Sequence, residues 1–242
     1  MNNCFIILAG GESKRFNSNT PKSYHLYKGK PLLLHSIDKA KSYGKFNKIV
    51  LVINKKHKSY IKKIKIKDIK IVIGGKTRAQ SAYNGLKSIK SYNIKNVMIH
   101  DAARPNFSIK LLNKLYKELR SNDCVIPAIQ TTDSIKQKSL KNVINLKRKD
   151  IYLIQTPQAF NYKKLYQLQN NKNIEITDDA SLFVNANKKI KIITGEINNN
   201  KITLNSDINI NSSIKYGLGF DVHRLVPNKK LYLGGIKIPS PL

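Results

Sequence analysis

Residues 4–9, Cys-Phe-Ile-Ile-Leu-Ala, form an apolar run with no polar face, and the run stops at two glycines, Gly10 and Gly11. A strand that is apolar on both faces has to be covered on both faces, which is the condition of a parallel sheet held between layers of helix. The rest of the chain repeats that demand. Residues 48–54 (KIVLVIN), 69–75 (IKIVIGG), 96–101 (NVMIHD) and 123–129 (DCVIPAI) read as further buried strands. Between them, residues 32–43, 57–64, 78–89 and 108–120 carry apolar positions at helical spacing. The alternation predicts an α/β fold, with a mostly parallel sheet and helices on both faces.

Two segments depart from the rhythm. Residues 131–150, TTDSIKQKSLKNVINLKRKD, alternate apolar and polar positions without forming a long helix, and predict a protruding β-arm. Near Ser212 the pattern changes again, so residues 1–211 read as one domain and 212–242 as the start of another, too short to bury a core of its own.

Composition narrows the classes. The 45 Lys and Arg against 14 Asp and Glu give +31, a balance that ordinarily points to nucleic acid. Only six of these are arginine (15, 78, 104, 120, 148 and 224) and the lysines are spread along the whole chain, which favours a solvated lysine coat. A basic field of this size still draws in phosphorylated substrates. A nucleic-acid-binding module without catalysis remains the alternative of another class; it predicts affinity that falls steeply with salt, and leaves Asp101 and the strand-end glycines without a purpose. Cys4 and Cys124 sit in apolar runs and read as buried free thiols, consistent with a reducing compartment and a cytoplasmic protein. The opening apolar run is too short for a signal segment, and no later stretch has the length of a membrane span.

In open parallel sheets the ligand crevice lies beyond the carboxyl ends of the strands. Three polar clusters follow those ends: AGGESKR (9–15), GGKTR (74–78) and HDAARP (100–105), each with an arginine. Glycines after a strand let backbone N–H groups approach phosphate oxygens. The first cluster is neither a P-loop nor a GxGxxG fingerprint, because the spacings differ. Arg15 and Lys22, the latter in a loop restrained by Pro21, supply fixed cations of the kind that attack on a phosphate needs.

Taken in order, LAGGESKRFNSNTPKSY, GGKTRAQSAYNGL, HDAARP, DSIK, TPQAF, ITDDASL and NKIT resemble the successive motifs of the 2-C-methyl-D-erythritol 4-phosphate cytidylyltransferase family, from residue 5 to about 210. The resemblance implies a Rossmann-like nucleotidyltransferase fold. It implies transfer of CMP from CTP to 2-C-methyl-D-erythritol 4-phosphate, with release of pyrophosphate, in non-mevalonate isoprenoid precursor synthesis. Arg15, Lys22 and Lys201 match the catalytic cations, and Gly10, Gly11, Gly75, Ser81 and Asp101 the CTP-binding positions; the CTP triphosphate so implied calls for Mg2+ to offset its charge, with Asp101 as the protein candidate near it. Arg104, Ser134, Arg148, Thr177 and Asp178 match the acceptor side, with Ser134 and Arg148 on an arm that in the family reaches a partner subunit's substrate; a homodimer through residues 131–150 follows. Thr177 and Asp178 also read as a helix cap. Lys76 stands where the family usually carries an acidic residue, and Ser134 replaces the usual threonine. A cytidylyltransferase acting on another polyol phosphate, such as ribitol 5-phosphate, is the alternative within the same chemistry.

GLGFDVHRL (217–225) and LYLGGIKIP (231–239) resemble the opening of the 2-C-methyl-D-erythritol 2,4-cyclodiphosphate synthase family. Asp221 and His223 then match two ligands of that family's Zn2+ or other divalent metal, on one face of a strand. The third ligand that such a site needs is not within these residues, so the chain reads as a bifunctional fusion cut short, and cyclase activity is not expected.

Overall fold

The computed structural model describes residues 2–12, 14–64, 66–139, 142–169, 177–209, 227, 230–233 and 235–239. The chain divides into two compact units, Met1–Asn211 and Ser212–Leu242. The first unit opens with β1 (Asn3–Ala9), β2 (Leu26–Tyr27), β3 (Lys30–Pro31), α1 (Leu32–Tyr43), β4 (Lys48–Ile53), α2 (Lys58–Lys63), β5 (Lys70–Ile73), α3 (Arg78–Lys87), β6 (Asn96–Asp101) and α4 (Ile109–Glu118). It continues with β7 (Cys124–Gln130), β8 (Lys136–Lys138), β9 (Val143–Asn145), β10 (Tyr152–Ile154), β11 (Gln158–Asn161), α5 (Tyr162–Leu168), α6 (Ser181–Asn185), β12 (Lys191–Thr194) and α7 (Ser206–Asn209). The second unit contributes an antiparallel ribbon, β13 (Leu231–Leu233) against β14 (Ile236–Ile238). Asp221 and His223 lie outside the described residues.

Local signals set the helix boundaries. The Thr77 side chain accepts the N–H of Gln80 at 3.1 Å and so caps α3. Ser108 caps α4 in the same way, accepting from Leu111 N at 3.1 Å. Gly44 ends α1 with φ +68°, the left-handed turn that glycine takes without a Cβ penalty.

Eight strands form the main sheet, in the order β10-β7-β11-β6-β1-β4-β5 with β12 also paired to β7. The pairs β1–β4, β1–β6, β4–β5 and β7–β12 are parallel, whereas β11 runs antiparallel between β6 and β7, and β10 antiparallel to β7. The chain travels from β1 out to β4 and β5, then returns to β6 on the other edge of β1. That reversal opens a crevice past the carboxyl ends of the strands. Register keeps those ends level: Leu8 faces Asp101, Ala9 faces Ile53, and Ile53 faces Ile73. The three polar clusters are thereby delivered to one rim.

Alternate side chains of β1 feed two cores. Phe5 and Ile7 pack with Leu33 and Ile37 of α1 and with Leu111, Leu112 and Leu115 of α4. Cys4 and Ile6 pack on the other face with Ala82 and Leu86 of α3, Leu165 of α5 and Phe183 of α6. Helix α3 lies close on the sheet because residue 85 is glycine: a Cβ there would fall 2.9 Å from Ile6 Cγ2 and 3.1 Å from Val52 Cγ2. Both cysteines are buried and free. The expected arm is present as a two-stranded hairpin, β8 with β9, whose described residues are exposed on both strands. Among the described residues, no helix is long and apolar enough to cross a membrane.

Candidate active site at the strand-end rim

The loop after β1 is pinned by its own apolar residue. Phe16 is buried against Tyr27, Leu32 and Ile202, a small cluster separate from the two main cores. Pro21 (φ −61°) leads into a tight turn closed by Tyr24 N–H on the Pro21 carbonyl at 2.8 Å. These constraints put Lys22 beside the strand end, where its Nζ donates to the Ile202 carbonyl at 2.7 Å. Ile202 N–H in turn donates to the Ala103 carbonyl at 2.8 Å, fixing the Lys201 loop to the turn after β6. Arg15 is exposed at the rim.

The turn after β6 is organised by a buried histidine. His100 is fully buried, packed against Phe107 (ring centroids 4.4 Å apart) and Phe5 (5.7 Å). Its Nε2 meets the Arg104 carbonyl at 3.1 Å, and a carbonyl only accepts, so Nε2 carries the proton. Nδ1 then accepts from the Thr156 hydroxyl at 3.0 Å, while Thr156 Oγ1 accepts the Asp101 N–H at 3.1 Å. Burial pushes the imidazole pKa down to about 3, with Asp101 opposing that shift, so the ring is neutral at ordinary pH.

Asp101 is the electrostatic centre. Its Oδ2 accepts from Lys201 Nζ at 2.7 Å and its Oδ1 from Arg78 Nε at 3.1 Å. Burial alone would raise this carboxyl; the Arg78 and Lys201 cations outweigh it and hold the group below the usual carboxylate range. Arg78 also reaches Asp179, Nη2 to Oδ2 at 2.8 Å. Lys22 is shifted the other way. Burial, then the neighbouring Lys201, lower its pKa to about 8, against the pull of Asp101.

A cleft of about 690 Å³ joins these groups. Of the residues singled out from sequence, Gly10, Gly11, Arg15, Lys22, Gly75, Ser81, Asp101 and Lys201 all line it, together with Lys76. Gly75 N–H donates to Ser81 Oγ at 3.1 Å, and Ser81 Oγ donates to the Thr77 carbonyl at 2.9 Å, so this pair closes the loop on the first turn of α3. Lys76 N–H is likewise taken by Gln80 Oε1 at 2.9 Å, and its side chain stands exposed.

A second cavity of about 490 Å³ is lined by Arg104, Thr177 and Asp178. Arg104 donates to the carbonyls of Asn199 (2.8 Å) and Ile154 (3.2 Å), which makes it a clamp between the end of β10 and the loop before Lys201 as well as a wall of the cavity. Asp178 accepts from Ser181 N–H at 2.9 Å and from Gln158 Nε2 at 2.6 Å; the N-cap position of α6 is Ala180, so neither Thr177 nor Asp178 is the helix cap expected from sequence, because the chain makes a turn between them and the first helical residue. Ser134 and Arg148 line neither space: Ser134 is exposed near the arm, and Arg148 donates to the Thr132 carbonyl at 2.8 Å. Sequence reasoning did not single out Arg78 or Asp179, although both stand inside quoted motifs. Neither residue type announces burial, and their pairing is visible only once α3 and α6 are placed. Among the described residues, no group of three or more His, Cys, Asp or Glu side chains is arranged to hold a metal ion.

Residues 3–215 match the family described as 2-C-methyl-D-erythritol 4-phosphate cytidylyltransferase. The chain is 77% identical over 242 residues to a bifunctional enzyme IspD/IspF of Pelagibacter ubique, covering all of this chain and 65% of that protein. It is 36% identical over 217 residues to the 2-C-methyl-D-erythritol 4-phosphate cytidylyltransferase of Fusobacterium nucleatum, covering 84% of this chain and 93% of the relative. The crystal structure of 4-diphosphocytidyl-2C-methyl-D-erythritol synthase from Anaerococcus prevotii superposes with a TM-score of 0.77 at 31% identity, over 86% of this chain and 95% of the other.

Proposed function

The chain belongs to the 2-C-methyl-D-erythritol 4-phosphate cytidylyltransferase family, and from that premise we propose that it transfers CMP from CTP to 2-C-methyl-D-erythritol 4-phosphate. A phosphate oxygen of the acceptor attacks the α-phosphorus of CTP, the bond from that phosphorus to the bridging oxygen breaks, and pyrophosphate leaves. The observation that carries this reading is the convergence of Arg15, Lys22 and Lys201 with Asp101 on one cleft at the strand-end rim. Negative charge spreads over the phosphoryl oxygens and the departing pyrophosphate, and fixed cations stabilise it without reorganising at the moment of reaction.

The cleft takes the nucleotide, with Gly10 and Gly11 against the triphosphate and the Gly75–Ser81 loop against the cytosine. The second cavity takes the acceptor, with Arg104, Thr177 and Asp178 around it. Lys201 lines both spaces and sits where the two substrates meet. A Mg2+ ion fits this site as one carried chiefly by the phosphates. Asp101, kept ionised by two cations and with acceptor capacity left on its oxygens, is the protein group to hold it. Bound there, the ion would neutralise triphosphate charge.

The exposed arm, with Val143 and Ile144 uncovered on β9, supports a homodimer in which Ser134 and Arg148 serve the partner's acceptor site. The direct test is pyrophosphate release from CTP, Mg2+ and a panel of polyol phosphates. Preference for methylerythritol phosphate supports the reading; preference for ribitol 5-phosphate, or no release, overturns it.

A further inference from the structure

We infer that Arg78 is a positioning residue, holding Asp101 and through it Lys201 at the partition between the cleft and the second cavity, for the cytidylyltransfer proposed above. The two spaces share three lining residues, Arg78, Asp101 and Lys201. These three continue a line of alternating charge that starts at Asp179. Asp179 Oδ2 meets Arg78 Nη2 at 2.8 Å, Arg78 Nε meets Asp101 Oδ1 at 3.1 Å, and Asp101 Oδ2 meets Lys201 Nζ at 2.7 Å.

The anchor is Asp179, fully buried just ahead of α6. Arg78 is the first residue of α3, so the helix that follows the Gly75–Ser81 loop carries the guanidinium into the partition. A planar fork can hold two carboxylates at fixed separation; a lysine ammonium on a flexible stem cannot reproduce both contacts. Buried ion pairs are weak evidence for stability by themselves. Here the pairing also fixes which way the Asp101 carboxylate faces, and that orientation decides where the Lys201 ammonium rests. Without Arg78, Lys201 is left against a carboxylate whose second oxygen is unpaired and free to turn.

R78Q alone strands the buried Asp179 charge, so the test uses R78Q/D179N, which removes the cation and its counter-charge together. Pyrophosphate release is measured in that variant, in Lys201→Ala, and in the combination. Positioning through Lys201 predicts a loss of about tenfold or more in kcat/KM from R78Q/D179N, shrinking to less than about threefold in the Lys201→Ala background. Full activity, or the same loss in both backgrounds, overturns the inference. The modification rate of the Lys201 amine by an acylating reagent, read by mass spectrometry, is followed in parallel. If wild-type protein releases no pyrophosphate, the functional reading fails and labelling decides alone: several-fold faster modification of Lys201 in R78Q/D179N supports the positioning role, and an unchanged rate overturns it.

Discussion

The ammonium of Lys22 donates to the carbonyl of Ile202 at 2.7 Å, joining two loops that are 180 residues apart in the chain. The contact orients a cation that the β1 loop contributes toward the one that the Lys201 loop contributes. Replacing Lys22 with alanine removes a charge from the cleft and the tie between its walls. The expected result is a fall in kcat of about 10²–10³ with little change in melting temperature. Steady-state pyrophosphate release and a thermal melt check both parts.

Lys22 also gives the cleft a pH limit. Its pKa, lowered to about 8 by burial and by Lys201, means that the free enzyme loses this positive charge as pH rises through 8. The kcat/KM for CTP is expected to bend downward there, since that ratio reports the free enzyme. Lys22→Arg keeps its charge and should move the bend to higher pH, measured on the same substrate series. For stability the sign is opposite: unfolded Lys22 titrates near 10.5, so its cost to folding is full below pH 8 and fades between pH 8 and 10.5.

His100 sets a dependence on the acid side. The folded ring protonates only near pH 3, whereas an unfolded histidine takes up its proton near 6.5. The unfolded state therefore binds more protons between those values, and stability falls as pH drops from 6.5 toward 3. His100→Leu leaves the Arg104 carbonyl and the Thr156 hydroxyl without their partner, a cost of about 1–3 kcal/mol at neutral pH. The variant should also show a shallower loss of stability across that acid window, followed by urea unfolding at several pH values.

Gly85→Ala puts intrinsic preference against packing. Alanine is favoured over glycine in a helix by about 1 kcal/mol. The added Cβ would meet Ile6 and Val52 methyls that are fully buried and have nowhere to retreat. Overpacking of about 1–3 kcal/mol is expected to dominate, lowering the melting temperature. A rise in melting temperature would show that α3 lifts off the sheet freely.

For the arm, Val143→Asp with Ile144→Asp places charges on two apolar positions that are more than half exposed. The proposed homodimer predicts a shift to monomer in sedimentation velocity. It also predicts a rise in KM for the acceptor larger than that for CTP. A monomeric wild-type protein would remove the basis for placing Ser134 and Arg148 at a partner's site.

Strands β1, β4, β5, β6 and β7 were legible because they are near-continuous apolar runs, and the strand-end clusters because glycines and cations follow directly; β12 (Lys191–Thr194), parallel to β7, was not read, being only four residues long with two apolar positions. Helix α1 matches the reading residue for residue, Leu32–Tyr43. The antiparallel strands β10 and β11 were not read from sequence. Gln158–Asn161 is a short strand in a polar context, held between β6 and β7 by long-range pairing, and local pattern does not encode that. The same holds for Arg78 and Asp179. Their importance comes from meeting, and α3 and α6 are brought together by the packing of Ala82, Leu86 and Phe183 on a shared face of the sheet.

Arg78, Asp101 and Lys201 face both spaces, so under the proposed assignment of one substrate to each, a substitution among them is expected to disturb both substrates together. On that reading, a compound gripping the trio from either side would leave the organism a poor escape route, because changes that expel the drug are expected to slow turnover as well. Resistance would have to arise at positions that line one space alone, such as Lys76, whose exposed side chain borders the cleft and not the second cavity.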